Sequence, residues 1–279
     1  MDLRAESLFS LNGKTILLTG ASGFLGRTMG TALLANGARL IAIGRSERLK
    51  SQENEWARAY GADKISCYQC DMYDIQSFET ILNEIIEKEA PVEVLINNAF
   101  ELNKNTGFNT PEGSLEKASY DQWMRNLTGG IYWSVMTTQK LGSAMKGQGK
   151  GSIINISTMY ALVAPNPQLY EGTASLNPPG YSAAKAGLLA FTRYTASFWG
   201  QYGIRANAIL PGPFSNTEDE GPNSVKEGDF FLERLKSRTC LRRVGKPNEL
   251  IGALIYLASD ASSYMTGHAL VVDGGWTIV

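Results

Sequence analysis

The sequence predicts an α/β protein built on one doubly wound parallel sheet of about seven strands, with helices on both faces. Three observations predict it. Short β-rich runs alternate with longer helical patterns, the strand-like runs are almost continuously apolar, and a glycine-rich turn joins the first strand to the first helix. Alternating strands and helices imply βαβ units, and apolar strands fit a sheet buried on both faces.

Taken in order, the strand-like runs are Thr15–Thr19, Leu40–Ile43, Ile65–Cys70, Val92–Ile96, Ser152–Ile156, Arg205–Leu210 and Ala269–Val272. Helical periodicity fills the intervals near Leu25–Asn36, Arg48–Tyr60, Ile75–Lys88, Tyr120–Met145, Ala183–Tyr202 and Asn248–Ser259. Three long polar or glycine- and proline-rich loops, Asn103–Ser114, Pro165–Gly180 and Ser215–Gly228, follow the fourth, fifth and sixth strands. Ligands of open α/β sheets bind beyond the carboxyl ends of the strands, so these loops are expected around the site. A further segment, Phe230–Leu241, has apolar residues at helical spacing and is a candidate cover for the pocket. We expect one catalytic domain over residues 1–279, with substrate loops near 103–114, 165–180 and 215–241.

Composition narrows the function classes. The chain has 279 residues, of which 43% are hydrophobic and 19% charged, with a formal net charge of -1. Nothing in that balance points to nucleic acid or to a membrane surface. No basic segment followed by an apolar one opens the chain, and no apolar run approaches the roughly 20 residues of a membrane span. The expected location is the cytoplasm. Cys67 and Cys70 have C-x-x-C spacing, but Cys240 and the lone His268 lack zinc-site spacing around them. Both cysteines fall in a strand-like run, so core packing is expected and no metal.

Two motifs carry chemistry. Tyr181 and Lys185 stand at i and i+4, on one helix face, separated by small Ser182, Ala183 and Ala184. A fixed ammonium favours the phenolate and is expected to lower the Tyr181 pKa from about 10 toward the working range of an acid/base catalyst. Thr19-Gly20-Ala21-Ser22-Gly23-Phe24-Leu25-Gly26 joins a strand to a helix near the N-terminus. Glycines there allow a tight turn and close approach of a pyrophosphate to the free N–H groups of the helix.

With these residues the chain resembles the short-chain dehydrogenase/reductase family over nearly its whole length. Further matches are Asp71, Asn97-Asn98-Ala99, Asn126, Gly151 through Thr158, Pro211-Gly212 and Asp273-Gly274-Gly275. The resemblance implies a Rossmann-type sheet, a nicotinamide cofactor, and proton transfer by tyrosine coupled to hydride transfer at a carbonyl or secondary alcohol. It also implies that Asp71 contacts adenine, that Asn98 anchors the adenosine side, and that the loop after Pro211 covers the nicotinamide. Lys185 would bind the nicotinamide ribose, and Asn126 would hold a water linking Lys185 to solvent. The cofactor-contacting set carried over is Gly20, Ser22, Gly23, Phe24, Leu25, Gly26, Arg45, Asp71, Met72, Asn98, Ala99, Tyr181, Lys185, Pro211, Gly212 and Phe214. A homo-oligomer, tetramer or dimer, is implied as well.

Three departures from the family pattern matter. The glycines are spaced as in extended members acting on nucleotide sugars, with Phe24 where compact members place a glycine. Only 67 residues follow Gly212, too few for the extended group's substrate domain. The substrate-polarising serine position falls on Thr158, whose hydroxyl offers the same donor, with Ser157 as the fallback. Finally, 23 residues separate Thr158 from Tyr181, roughly ten more than is usual. The added loop, Asn166–Thr173, reads either as a surface insertion or as a polar rim over a pocket for a hydroxyl-rich molecule. It also resembles reductases associated with bacterial surface sugars and flagellin glycosylation.

Cofactor preference is read at the end of the second strand. Gly44 stands where an acidic residue would select NAD, and Arg45 follows with a guanidinium suited to phosphate. NADP is preferred, with NAD possible. The expected function is therefore an NAD(P)-dependent oxidoreductase acting on a small polar or sugar-like substrate, with Tyr181, Lys185, Thr158 and Asn126 as catalytic residues. The alternatives are a nucleotide-sugar epimerase or dehydratase, and a non-catalytic nucleotide-binding module.

Overall fold

The structure is a computed structural model describing residues 4–89, 91–173, 175–215 and 229–279. The acidic run Glu218-Asp219-Glu220 and nearly all of the loop Ser215–Gly228 lie outside the described residues. Seven strands, β1 (Thr15–Thr19), β2 (Arg39–Gly44), β3 (Ile65–Gln69), β4 (Val94–Asn97), β5 (Gly151–Ile156), β6 (Ile204–Pro211) and β7 (Ala269–Val272), form one sheet. All pairings are parallel, in the order β3-β2-β1-β4-β5-β6-β7. Every expected strand is present, with ends displaced by at most two residues.

Alternation along each strand divides the core into two layers. Ile16 and Leu18 of β1 join Leu40, Ala42, Val94 and Ile96 against α2 (Phe24–Ala35) and α9 (Ile251–Ala258). Leu17, Ile41, Leu95 and Ile153 face the other way, against α4 (Ile75–Lys88) and α6 (Trp133–Gln148). Cys67 packs against the first layer and Cys70 belongs to the second. Burial pushes their thiols up to about 12 and about 11.

The chain winds outward from β1 through β2 and β3, then returns to place β4 beside β1. That reversal opens a crevice at the carboxyl ends of β1 and β4, where such sheets hold their ligands. A short helix, α1 (Ala5–Leu8), precedes β1 and has no counterpart in the sequence expectations. α3 (Arg48–Tyr60) buries only Leu49 and Trp56, consistent with an edge position.

The pattern over Tyr120–Met145 is not one helix. It divides into α5 (Tyr120–Leu127), a π-helical turn at Thr128–Tyr132, and α6. Gly129 and Gly130 occupy that turn, and a Cβ on Gly130 would lie 2.6 Å from the Ala184 side chain. The turn therefore lets the helix pass closely over α7 (Pro179–Trp199), which carries Tyr181 and Lys185 and starts four residues earlier than its periodicity indicated. On α7, Trp199 packs against Gly142 and the core. Tyr194 and Phe198 stack on each other at the surface with ring centroids 4.2 Å apart. Their positions lie opposite the face that buries Leu188, Thr192, Thr195 and Ala196.

Candidate active site

Tyr181 sits in the first turn of α7, facing the end of β5. Burial, the largest influence, pushes its phenol up to about 12, while hydrogen bonding with the Thr158 side chain works in the opposite direction. Lys185 is buried, and its ammonium donates to the Ile156 carbonyl at 2.9 Å and lies 5.1 Å from the centre of the Phe100 ring. Burial pushes its pKa down to about 7. The Tyr181 pKa thus stands above its ordinary value, where the sequence reading expected Lys185 to lower it, because burial outweighs the opposing hydrogen bond from Thr158.

The two hydroxyls at the end of β5 separate cleanly. Ser157 donates to the Lys185 carbonyl at 2.9 Å and is buried. Thr158 caps a short 3-10 turn at Met159–Ala161 and meets the Tyr181 phenol. The phenol therefore finds Thr158 as its neighbour, and Ser157 braces the catalytic helix.

Asn126 is buried at the end of α5. Its amide donates to the carbonyls of Thr106 and Gln122, each at 2.8 Å, and its Oδ1 is buried without a partner. A free acceptor there leaves room for a further hydrogen-bond donor such as water.

At the other end of the crevice, Gly20 adopts φ +69°, and a Cβ on Gly26 would lie 2.1 Å from the Gly20 carbonyl oxygen. The turn thus folds directly onto the first turn of α2, whose N-cap, Gly23, supplies no side-chain cap. The uncapped N–H groups of Phe24, Leu25 and Gly26 fit a pyrophosphate. Asn98 turns its amide to the carbonyls of Thr19 and Gly20, at 3.1 and 3.2 Å, so it braces the glycine turn. Thr19 Oγ1 accepts from the N–H groups of Asn98 and Ala99. Ser22 faces the end of β2, where a Cβ on Gly44 would approach its hydroxyl at 2.9 Å. Met72, carried over as a cofactor contact, has its side chain buried in the core layer under α4. Beyond β6, Gly212 donates to the Val272 carbonyl at 2.9 Å and is pressed against Asp273, while Phe214 packs against Gly245.

Glu101, which spacing alone did not single out, ties together two arginines at the end of the crevice beside β2. It is buried, accepts from Arg45 at 2.7 Å, and accepts twice from Arg125 at 3.1 and 2.7 Å. Burial by itself would raise its pKa, but the two arginines hold it below the ordinary value. Arg45 remains half-exposed and lies 4.0 Å from Asp71. Arg125 stacks on Tyr73 at 3.7 Å. An acidic residue directly after an apolar strand, at Asn-Asn-Ala-Phe-Glu, was the available signal.

The insertion before α7 packs over Tyr181. Tyr160 and Tyr170 bring their hydroxyls to 3.3 Å, and both belong to a cluster with Leu169, Tyr181, Leu235 and Trp276. Phe100 and Phe108 flank the Tyr181 ring at 5.0 and 5.1 Å between centroids, two further residues that spacing alone did not single out. α8 (Phe230–Ser237) closes this side, where Arg234 donates to the Leu169 and Glu171 carbonyls. The segment is therefore neither a free surface insertion nor wholly polar: it is an aromatic wall with hydroxyl tips.

Comparison with known proteins decides the family. Residues 20–277 match the family model described as enoyl-(acyl carrier protein) reductase. A sorbose reductase of Schizosaccharomyces pombe is 32% identical over 276 residues, covering 97% of this chain and 98% of that protein. The chain belongs to the short-chain dehydrogenase/reductase family. A galactitol 2-dehydrogenase (L-tagatose-forming) of Cereibacter sphaeroides is 30% identical over the full length of both proteins. The crystal structure of a gluconate 5-dehydrogenase from Burkholderia cenocepacia, in complex with NADP and tartrate, superposes with a TM-score of 0.81 at 25% identity, covering 99% of this chain and 100% of that one. As a member of this family the protein is an NAD(P)-dependent oxidoreductase acting on CH–OH groups. Among the described residues no helix is long and apolar enough to cross a membrane.

Proposed function

We propose that the protein interconverts a carbonyl and a secondary alcohol on a polyhydroxylated, sugar-like molecule, with Tyr181 as the proton carrier. The observation that carries this reading is the meeting of the Tyr181 phenol with the Thr158 side chain among the aromatic rings of Phe100, Phe108 and Tyr160. The nicotinamide cofactor supplies or accepts the hydride. A phenol pushed up to about 12 is protonated at neutral pH, so Tyr181 stands ready to donate to a carbonyl oxygen. Thr158 donates to the same oxygen and stabilises its developing charge. Lys185 lies behind them, its ammonium anchored at the Ile156 carbonyl, and Asn126 Oδ1 holds the water through which protons are exchanged.

NADP is the preferred cofactor in this reading. Glu101 pins one end of the Arg45 guanidinium, and the other edge is left without a hydrogen-bond partner among the described residues. A phosphate on the adenosine ribose would complete that fork. The sugar and polyol relatives support the substrate class, since they match end to end and act on neutral polyols and sugars. Action in the cytoplasm as a homo-oligomer belongs to the same proposal, with the exposed Tyr194–Phe198 pair offering apolar contact surface.

The test is absorbance at 340 nm with NADPH and NADH against ketoses, polyols, aldoses and aldonates, repeated with Tyr181→Phe. The wild type should turn over at least one such substrate, faster with NADPH than with NADH. The variant should lose at least ~100-fold in kcat while still binding cofactor. Undiminished turnover by Tyr181→Phe would remove Tyr181 from its role.

A further inference from the structure

Strand order lays a charge cluster across the crevice. β1, which leads into the glycine turn, lies between β2 and β4. Arg45 directly follows β2, and Glu101 stands four residues past the end of β4. Neighbouring strands are about 4.8 Å apart, so a contact between these two side chains has to reach over the end of β1. It does: Arg45 Nη1 donates to Glu101 Oε1 at 2.7 Å. The other oxygen, Oε2, accepts from Arg125 of α5, from Nε at 3.1 Å and from Nη2 at 2.7 Å. Each carboxylate oxygen thus serves one arginine.

The three side chains differ in freedom. Glu101 is 4% exposed, Arg125 32% and Arg45 51%. Arg125 is held from below by Tyr73, whose ring centre lies 3.7 Å from the guanidinium and whose hydroxyl donates to the Arg125 carbonyl at 3.2 Å. Arg45 has one further carboxylate near it among the described residues, that of half-exposed Asp71 at 4.0 Å. Water screens the Asp71 charge, whereas the Glu101 charge is buried and acts with little screening. Alone with Arg45, Glu101 would form a closed, neutral pair. With Arg125 present, two cations share one buried carboxylate, and one positive charge is left over at the more exposed arm.

We infer that Arg125 is a positioning residue for cofactor choice: by occupying one side of Glu101 it leaves Arg45 a charge to offer a phosphate on the adenosine ribose, the group that separates NADP from NAD. This inference rests on the NADP preference of the proposed function and supplies its electrostatic cause. Arg45 keeps Nη1 on Glu101 and presents Nε and Nη2 as a fork matching a phosphate. Arg125 acts through Glu101 and touches no part of the dinucleotide. Without Arg125 the fork would keep its shape, but the Glu101 charge would offset that of Arg45 as the phosphate approached.

The test measures dissociation constants of NADPH and NADH by fluorescence titration at one ionic strength. Wild type is compared with Arg125→Met, Arg125→Lys and the double variant Arg125→Met/Glu101→Gln. Wild type should favour NADPH by at least about tenfold, the worth of one charge-assisted hydrogen bond. Arg125→Met keeps an apolar stem over Tyr73 and should cut that preference about tenfold. Arg125→Lys keeps the charge and should stay within about threefold of wild type. The double variant loses one charge of each sign and should regain the wild-type preference, which a merely structural role for Arg125 would not allow. Each readout is a ratio within one variant, so a partly unfolded preparation does not imitate it. A preference unchanged in Arg125→Met, or one that the double variant fails to regain, overturns the inference and leaves the NADP preference standing. Wild type without a preference for NADPH overturns both.

Discussion

The Ser157 hydroxyl donates to the Lys185 carbonyl at 2.9 Å, and the Lys185 ammonium donates to the Ile156 carbonyl at 2.9 Å. The end of β5 and α7 are therefore joined by two bonds running in opposite directions. This gives the adjacent hydroxyls different settings: Ser157 braces α7, and Thr158 meets the Tyr181 phenol, the partner it has in the proposed function. Ser157→Ala should lower stability by about 1 kcal/mol, the worth of one hydrogen bond, with a smaller effect on kcat. Thr158→Ala should lower kcat about 100-fold, on the scale of one lost transition-state donor, and Thr158→Ser should recover most of it. Thermal melts and steady-state kinetics on the three variants check the division, and a larger kcat loss in Ser157→Ala would reverse it.

Lys185 is buried with its pKa pushed down to about 7. In the unfolded chain a lysine titrates near 10.4, so between those values the unfolded state binds the extra proton and stability rises with pH. The burial penalty is at its full size below about pH 7 and disappears above the ordinary lysine range. Lys185→Met should therefore raise the melting temperature most at or below neutral pH, with the gain shrinking as pH climbs toward 10. Melting curves of both proteins from pH 6 to 10 measure this, and a gain that grows with pH would contradict it.

Glu101 holds two arginines from a buried position, and its pKa is depressed by them. Its stabilising contribution is present above the ordinary glutamate range and is lost as pH falls through its lowered value. Glu101→Leu should cost about 3 kcal/mol at pH 7, the lower end for breaking a buried pair, because half-exposed Arg45 is partly screened. The deficit should narrow on acidification below about pH 4. Urea unfolding at pH 7 and at the lowest pH where both proteins stay folded gives the comparison.

Gly26→Ala places a methyl group against the Gly20 carbonyl, which would lie 2.1 Å away without adjustment. Turn and helix must part, which costs about 1–3 kcal/mol as overpacking does. The same displacement moves the N–H groups that face the pyrophosphate, so NADPH affinity should fall at least about tenfold. Fluorescence titration of bound NADPH reads the affinity, and wild-type affinity in this variant would place the dinucleotide elsewhere.

The sheet was legible because its strands are short apolar runs separated by punctuated helices, a signal each segment carries locally. Tyr181 and Lys185 were legible for the same reason, since one helical turn fixes their relation. Glu101 was not: its partners Arg45 and Arg125 stand 56 and 24 residues away, and only the sheet order brings them together. The π-helical turn escaped because apolar periodicity over Tyr120–Met145 averages out a single displaced turn. Tyr194 and Phe198 show a further limit: aromatic residues one turn apart signal a shared face but not which way it points.

The π-helical turn between α5 and α6 has a consequence for how this scaffold can vary. An α-helical residue advances the chain by about 100° around the axis, and a π-helical turn accommodates one residue more than an α-helical turn. Deleting one residue from Thr128–Tyr132 would regularise the helix and swing Asn126 and Arg125 around its axis, while Trp133, Met136 and Leu141 kept their places in the core. One codon there acts as a rotary adjustment that would re-aim Asn126 and the Arg125–Glu101 pair together.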